Sequence, residues 1–371
     1  MRVLISGGGT GGHIFPAVSI ANALRELDST CEILFVGALG RMEMERVPQA
    51  GYPIVGLPVK GFDRSKPWRN IRVVIDLLRS MWQVRKIIRD FRPDVGVGVG
   101  GYASGAAMKV AAKMGVPILL QEQNGFAGVT NKLLKDDAKK ICVAYEGMER
   151  FFPKEKLILT GNPVRQNLKD GTTEQAIQYF NTEFGMHFTA ERKTLLIIGG
   201  SLGARTINES IIAHLDELIE SGIQVIWQTG KNYFADCKAA LSQLKTTNHH
   251  ILCTDFISQM PQAYALADLV ISRAGASSIS ELCLLGKPSV LVPSPNVAED
   301  HQTHNAMALV RKDAAILVKD IDAKEQMVQT ALTLINDDAQ LKTLQANILS
   351  LALPDSARLI AEEVIQLGNR H

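Results

Sequence analysis

Short unbroken apolar runs recur along the chain. They are separated by stretches in which apolar residues return every third or fourth position. In the first half the runs fall near residues 2–5, 32–36, 54–57, 94–99, 116–120, 140–144 and 157–159. In the second half they fall near 194–198, 223–227, 250–253, 268–271, 289–292 and 314–318. Continuous rather than alternating apolar runs are what parallel strands need when helices cover both sheet faces. Between them, Ala17, Ile20, Ala21, Leu24 and Leu27 share one helical face, and residues 174–184 are amphipathic in the same way. The alternation predicts an α/β protein built from Rossmann-like, doubly wound parallel sheets.

The pattern breaks once. Gly161-Asn162-Pro163 closes a strand, 166–192 turns polar, and a new strand starts at Thr194. Each side of the break opens with strand, glycine loop and helix. We therefore expect one domain over 1–163 and a second over 164–354. A terminal helix follows within 355–371, with Ile360, Val364 and Leu367 on one face. Packing back on the first domain is one arrangement for it, but spacing alone does not choose its partner. A length of 371 residues and 46% apolar residues supply two cores of ordinary composition.

Charge adds a local feature. The net charge is only +2, so nothing points to nucleic acid, yet residues 60–92 hold ten basic and three acidic side chains, a local net of +7. Trp68, Ile71, Leu78, Met81 and Trp82 are interleaved with Arg72, Arg79 and their basic neighbours. A basic amphipathic stretch with tryptophan fits an anionic membrane surface. A helix with one packed face and one solvated basic face reads equally from these residues. With no leader-like segment at residue 1 and no apolar run of about 18 residues, the expectation is a cytoplasmic chain able to attach peripherally to a membrane. The five scattered cysteines form no CxxC pair and read as reduced, mostly buried thiols.

The chemistry gathers in loops. Gly7-Gly8-Gly9-Thr10-Gly11-Gly12-His13 follows the first strand and opens a helix, so backbone N–H groups are offered to an anion. It lacks the Lys-Ser/Thr of a P-loop, and no acidic residue ends the second strand to hold a ribose. Taken alone it also reads as a tight turn. Gly98–Gly105 and Gly199–Ala204 are further glycine loops at strand ends, and such loops converge where doubly wound sheets bind ligands. His13 at a helix start is favoured as the neutral base; it reads also as a cap. The run 272–281, SRAGASSISE, sets small hydroxyl residues at a helix start with Glu281 a turn further in, as a ribose ligand or a surface residue. Residues 293–305 are rich in amide and carboxylate groups of the kind a sugar needs. Asp320-Ile321-Asp322 has a DxD form but reads as a solvated turn.

Together these segments resemble one family: the N-acetylglucosamine transferases that convert lipid I to lipid II in bacterial peptidoglycan synthesis. The matching pieces are GGGTGGHIFPA (7–17), VGVGGYASG (97–105), EQNGFAGVTN (122–131), GNPVR (161–165), GGSLGAR (199–205), SRAGASSISE (272–281) and EDHQTHNA (299–306), in order over nearly the whole chain. The resemblance implies a GT-B fold, with two Rossmann-like domains facing across a cleft and no essential metal or other cofactor. It implies UDP-GlcNAc on the C-terminal domain and lipid I (undecaprenyl-pyrophosphoryl-MurNAc-pentapeptide) on the N-terminal one, at the cytoplasmic face of the plasma (inner) membrane.

Carried onto this sequence, the resemblance assigns UDP-GlcNAc binding to Thr10, Gly11, Gly12, Asn124, Arg165, Ser201, Ile257, Ala276, Ser277, Ser278, Ile279, Ser280, Glu281, Gln302 and Asn305. Gly100, Gly101, Tyr102 and Ser104 fall in an acceptor or diphosphate loop. Trp68, Arg72, Arg79 and Trp82 fall on the membrane side. His13 is the first choice of base and Glu122 the alternative. Gln121 stands where many members have His, which speaks against a second catalytic histidine. The implied reaction is an inverting transfer to the C4 hydroxyl of MurNAc. The rivals are a UDP-GlcNAc 2-epimerase, another GT-B lipid glycosyltransferase, or a non-catalytic two-lobed binder of sugars or nucleotides.

Overall fold

The computed structural model describes residues 1–59, 70–164, 166–200, 202–244, 250–297 and 300–369, with only the backbone for 70–72 and 166. The chain divides into two compact units, Met1–Val164 with Leu353–His371, and Arg165–Ala352.

In the first unit, strands β1 (Arg2–Ser6), β2 (Glu32–Ala38), β3 (Ile54–Leu57), β4 (Val95–Gly98), β5 (Ile118–Glu122), β6 (Lys140–Val143) and β7 (Leu157–Leu159) form one sheet in the order β3-β2-β1-β4-β5-β6-β7. Every pairing is parallel; Ile5, for example, lies between Phe35 of β2 and Val97 of β4. Helices α1 (Gly11–Leu27), α2 (Glu43–Gln49), α3 (Asn70–Phe91), α4 (Tyr102–Lys113) and α5 (Val129–Leu134) connect them. The central strands are buried on both faces, which is why they are unbroken apolar runs. One face packs Ile14, Ile20 and Leu24 of α1 over Val3 and Ile5. The other packs Val84 and Ile88 of α3 and Met108 of α4 near Leu4 and Leu120.

The second unit repeats the plan. Helix α6 (Thr173–Phe184) leads in; it is capped at its start by the Thr172 hydroxyl, which accepts from Gln175 N at 3.3 Å, and ended by left-handed Gly185. Strands β8 (Thr194–Ile198), β9 (Gln224–Gln228), β10 (Ile251–Thr254), β11 (Leu269–Ser272), β12 (Ser289–Leu291) and β13 (Ile316–Leu317) run parallel in the order β10-β9-β8-β11-β12-β13. Between and after them come α7 (Arg205–Ala213), α8 (Leu215–Glu220), α9 (Phe234–Ser242), α10 (Met260–Leu266), α11 (Ala276–Leu285), α12 (His301–Val310), α13 (Ala323–Ile335) and α14 (Asp338–Ser350). The last helix, α15 (Ser356–Gly368), belongs to the first unit. It packs on α1 through Ile360, Ala361, Val364 and Leu367, closing the core over Val3 and Val95. Fully burying a side chain of this size contributes about 1.5–3 kcal/mol.

In both sheets the order of the strands reverses at one place, between β1 and β4 in the first unit and between β8 and β11 in the second. Loops leaving the carboxyl ends of those strands diverge there and leave a crevice. The glycine loops 7–12 and 99–101 follow β1 and β4; 199–204 and 273–275 follow β8 and β11. The fold thus delivers all four to switch points.

Candidate active site

In the first unit the loops after β1 and β4 touch. Gly101 adopts φ +90°, ψ 166°, a region essentially closed to side chains, and a Cβ there would lie 2.6 Å from the Gly8 carbonyl oxygen. A Cβ on Gly100 would lie 2.9 Å from His13 Nε2, so the missing side chain makes room for the imidazole. His13 Nδ1 is 3.0 Å from the Gly8 carbonyl oxygen and 3.4 Å from Thr10 Oγ1. A carbonyl only accepts, so Nδ1 carries the proton and Nε2 the lone pair in the neutral ring. Thr10 caps α1 with extended backbone but without a side-chain bond. No acidic residue sits in the first turn, and the amides of Gly11 and Gly12 have no intrahelical acceptor. Gly8, Thr10, His13 and Gly101 line a cavity of about 240 Å³ with Arg41, Glu43, Tyr102 and Ala103.

Two acceptor-loop expectations separate here. Tyr102 is exposed at the mouth, whereas Ser104 is completely buried and 2.9 Å from where a Cβ on Gly98 would sit. Ser104 therefore sits at the contact between α4 and β4, and its buried Oγ has no hydrogen-bond partner among the described residues.

Glu122 ends β5 and is buried. Its Oε1 accepts from the Asn124 backbone N (3.1 Å) and from Asn124 Nδ2 (3.3 Å). Its Oε2 accepts from Gly128 N and from Asn131 Nδ2, both at 2.9 Å. A carboxylate with four donors already in place shapes the 123–128 loop; it is not poised to take a substrate proton, which corrects the alternative assignment of the base. Gln121 is equally buried, donating to Asn162 Oδ1 at 3.0 Å and accepting from Gln123. Gln121 is thus a structural amide.

In the second unit, Gly203 at φ +88° lies so close to Thr229 that a Cβ would be 2.2 Å from its carbonyl oxygen. Gln228 braces this loop: its Nε2 donates to the Gly200 carbonyl oxygen, and its Oε1 accepts the Ile257 N–H at 3.0 Å. Any ligand contact from the Ile257 backbone must therefore use its carbonyl. Helix α11 begins at Ala276 with no acidic residue in its first turn, and the amides of Ala276, Ser277 and Ser278 have no intrahelical acceptor, so this helix tip can receive an anion. Ile279 buries its side chain and donates its N–H to Gly275, and Ser280 Oγ donates to the Ala276 carbonyl. Both serve the helix. Glu281 is not a surface residue: it is 9% exposed and accepts from the Tyr264 hydroxyl at 3.0 Å. On α12, Gln302 Oε1 accepts from Ser294 N, which ties the 293–297 loop to the helix, and buried Asn305 donates to the Ala274 carbonyl.

The DxD segment is the clearest correction. Ile321 is exposed, but Asp320 pairs with Arg273 Nη1 at 2.5 Å and accepts from Thr206 Oγ1 at 2.9 Å. Arg273 also donates to the Val292 and Pro293 carbonyls. The pair fastens three of the loops around the switch point of this unit.

On α3, Val74, Ile75, Leu78 and Trp82 are exposed apolar residues, and Arg79 beside them is exposed too. Trp68, Arg165 and Ser201 lie outside the described residues, as does the side chain of Arg72. Among the described residues no helix is long and apolar enough to cross a membrane.

Comparison with known proteins bears on this geometry. Residues 3–143 match the glycosyltransferase family 28 N-terminal domain, and 194–360 match the family 28 C-terminal domain. The UDP-N-acetylglucosamine–N-acetylmuramyl-(pentapeptide) pyrophosphoryl-undecaprenol N-acetylglucosamine transferase of Bacteroides thetaiotaomicron is 60% identical over 99% of this chain and 98% of its own length. The chain belongs to this transferase family. The crystal structure of MurG from Acinetobacter baumannii superposes with a TM-score of 0.77 at 26% identity, covering 98% of this chain and 99% of that one. A UDP-GlcNAc 2-epimerase from Neisseria meningitidis, bound to UDP-GlcNAc, reaches 0.69 at 16% identity over 99% and 100% of the two chains. That likeness is one of fold alone. The matched ranges contain the four glycine loops that the two sheets place at their switch points.

Sequence reasoning missed Arg41, Glu43 and Arg273. Glu43 lies beyond the end of β2, where an acid was sought and not found, and only the fold of α2 turns it back onto the first glycine loop.

Proposed function

We propose that this chain moves GlcNAc from UDP-GlcNAc to the C4 hydroxyl of the MurNAc unit of lipid I, forming lipid II with inversion at the anomeric carbon. The observation that carries the reading is that both switch points bear the loops of a transferase family to which the chain is related over its whole length. His13 Nε2 takes the hydroxyl proton, its ring held by the bond from Nδ1 to Gly8. The first-unit cavity receives the acceptor's diphosphate beside the tip of α1, so Thr10, Gly11 and Gly12, which the resemblance sets on UDP-GlcNAc, are assigned in this reading to the acceptor.

On the second unit, the amides of Ala276–Ser278 stabilise the charge that develops on UDP as the glycosidic bond breaks, aided by Ser201 and Arg165. Glu281, held by Tyr264, accepts from the ribose hydroxyls. This reading requires no metal. The α3 stripe of Val74, Ile75, Leu78 and Trp82, with Arg79 and the basic residues around it, docks the enzyme on the anionic cytoplasmic membrane surface where the acceptor resides.

The test is product analysis. The protein is incubated with UDP-GlcNAc and a lipid I analogue bearing a shortened polyprenyl chain, and the lipid is examined by mass spectrometry and NMR. One added N-acetylhexosamine in β-1,4 linkage is expected. UDP-ManNAc formed from UDP-GlcNAc alone, or an unchanged lipid, overturns the proposal.

A further inference from the structure

A completely buried carboxylate lies against the first glycine loop and takes no part in the mechanism above. Glu43, in the first turn of α2, turns back so that Oε2 accepts from Gly9 N and Oε1 from Ala38 N, both at 3.0 Å. The surroundings are shaped to it. A Cβ on Gly8 would lie 2.1 Å from Oε1, and one on Gly37 would lie 2.6 Å from Cγ. The same carboxylate lines the cavity shared by His13, Arg41 and Gly101.

A buried carboxylate is costly, and beside a surface that receives an anion it is also repulsive. What it does that an amide of the same length does not is accept a backbone N–H on each of its two terminal atoms. Gly9's amide is thereby reserved. Donors for an incoming anion remain at Gly11 and Gly12, at the tip of α1, and Arg41 brings positive charge to the cavity beside Thr10 and His13.

We infer that Glu43 is a positioning residue: it holds the first glycine loop in its anion-receiving shape and thereby sets the affinity for the diphosphate-bearing acceptor. This deepens the function proposed above and rests on it. In Glu43→Gln, the amide NH₂ opposes one of the two backbone donors, and the loop loses one anchor. At saturating UDP-GlcNAc the acceptor KM should rise about tenfold, while kcat and the KM for UDP-GlcNAc stay within about twofold. An unchanged acceptor KM, or equal changes in both KM values, overturns the inference.

Gly8→Ala provides a second variant. Its backbone conformation tolerates a side chain, so the obstacle is the Glu43 carboxylate. Gly8→Ala should raise the acceptor KM in the wild-type background and add nothing in a Glu43→Ala background. Independent, additive losses would contradict the claim. Calorimetric titration with farnesyl diphosphate reads the same anion site without turnover, and about tenfold weaker binding to Glu43→Gln is expected. Equal binding overturns the inference, whereas failure of the wild type to turn over lipid I would strike the proposed function instead.

Discussion

Removing the Asp320 carboxylate should loosen the second unit and weaken donor binding. In the native chain the side chains of Asp320 and Arg273 are 21% and 14% exposed, and their contact is 2.5 Å. Deleting one partner of a fully buried pair costs about 3–5 kcal/mol, because the other charge stays behind unpaired. Here the loss is smaller: some solvent reaches both groups, and Arg273 keeps the Val292 and Pro293 carbonyls as acceptors. The Thr206 hydroxyl loses its acceptor as well. We expect about 2–3 kcal/mol for Asp320→Ala and about 1 kcal/mol for Asp320→Asn, which keeps the shape and one acceptor oxygen.

For a unit of this size that is a fall in melting temperature of about 5–10 °C for the alanine variant. Trp227 is completely buried in β9, so in a Trp68→Phe, Trp82→Phe background its fluorescence during guanidinium unfolding reports on this unit. Because Arg273 braces the strand ends that lead into the 293–297 loop and α12, the KM for UDP-GlcNAc should rise with the loss of stability. A variant within about 0.5 kcal/mol of wild type, with unaltered UDP-GlcNAc KM, would refute the reasoning and restore the solvated-turn reading.

Three further outcomes follow from the same geometry. His13→Ala should lower kcat by about 10²–10⁴-fold with the fold intact, and turnover within threefold of wild type would remove the base assignment. Replacing Leu78 and Trp82, which are 62% and 69% exposed, by serine should leave stability within about 0.5 kcal/mol while weakening cosedimentation with anionic vesicles at least about tenfold; unchanged vesicle binding would exclude α3 as the docking face. Burial pushes the thiols of Cys142, Cys237, Cys253 and Cys283 up to about 12, so at pH 8 only about one thiol in ten thousand is ionised and iodoacetamide should leave them unlabelled until the chain unfolds. Rapid labelling of the native protein at any of these four, read by peptide mass spectrometry, would contradict that environment.

All thirteen strands among the described residues were legible as apolar runs because a parallel strand covered on both faces tolerates few polar side chains. The glycine loops were legible because only glycine fits where Gly101 lies on Gly8 and Gly203 on Thr229. What escaped the sequence were contacts made by polar side chains across long separations. Asp320 meets Arg273 across 47 residues, and Glu43 meets Gly9 across 34, neither with any periodic signature. Glu122 read as a base because its loop is family-like, yet its role depends on Gly128 and Asn131, whose donors converge only in the folded loop. Ser104 sat in a loop motif but falls on the buried side of α4, where one residue of phase decides between ligand and core. The stripe on α15 was readable, but a stripe names no partner; that it covers α1 is a fact of tertiary structure.

The most direct measurement is continuous UDP release from UDP-GlcNAc in a metal chelator, with and without a lipid I analogue in anionic vesicles. The account predicts release that depends on the acceptor, persists in chelator, and matches disaccharide-lipid formed one for one. Equal release without acceptor, or activity abolished by chelator and restored only by a divalent cation, would contradict it.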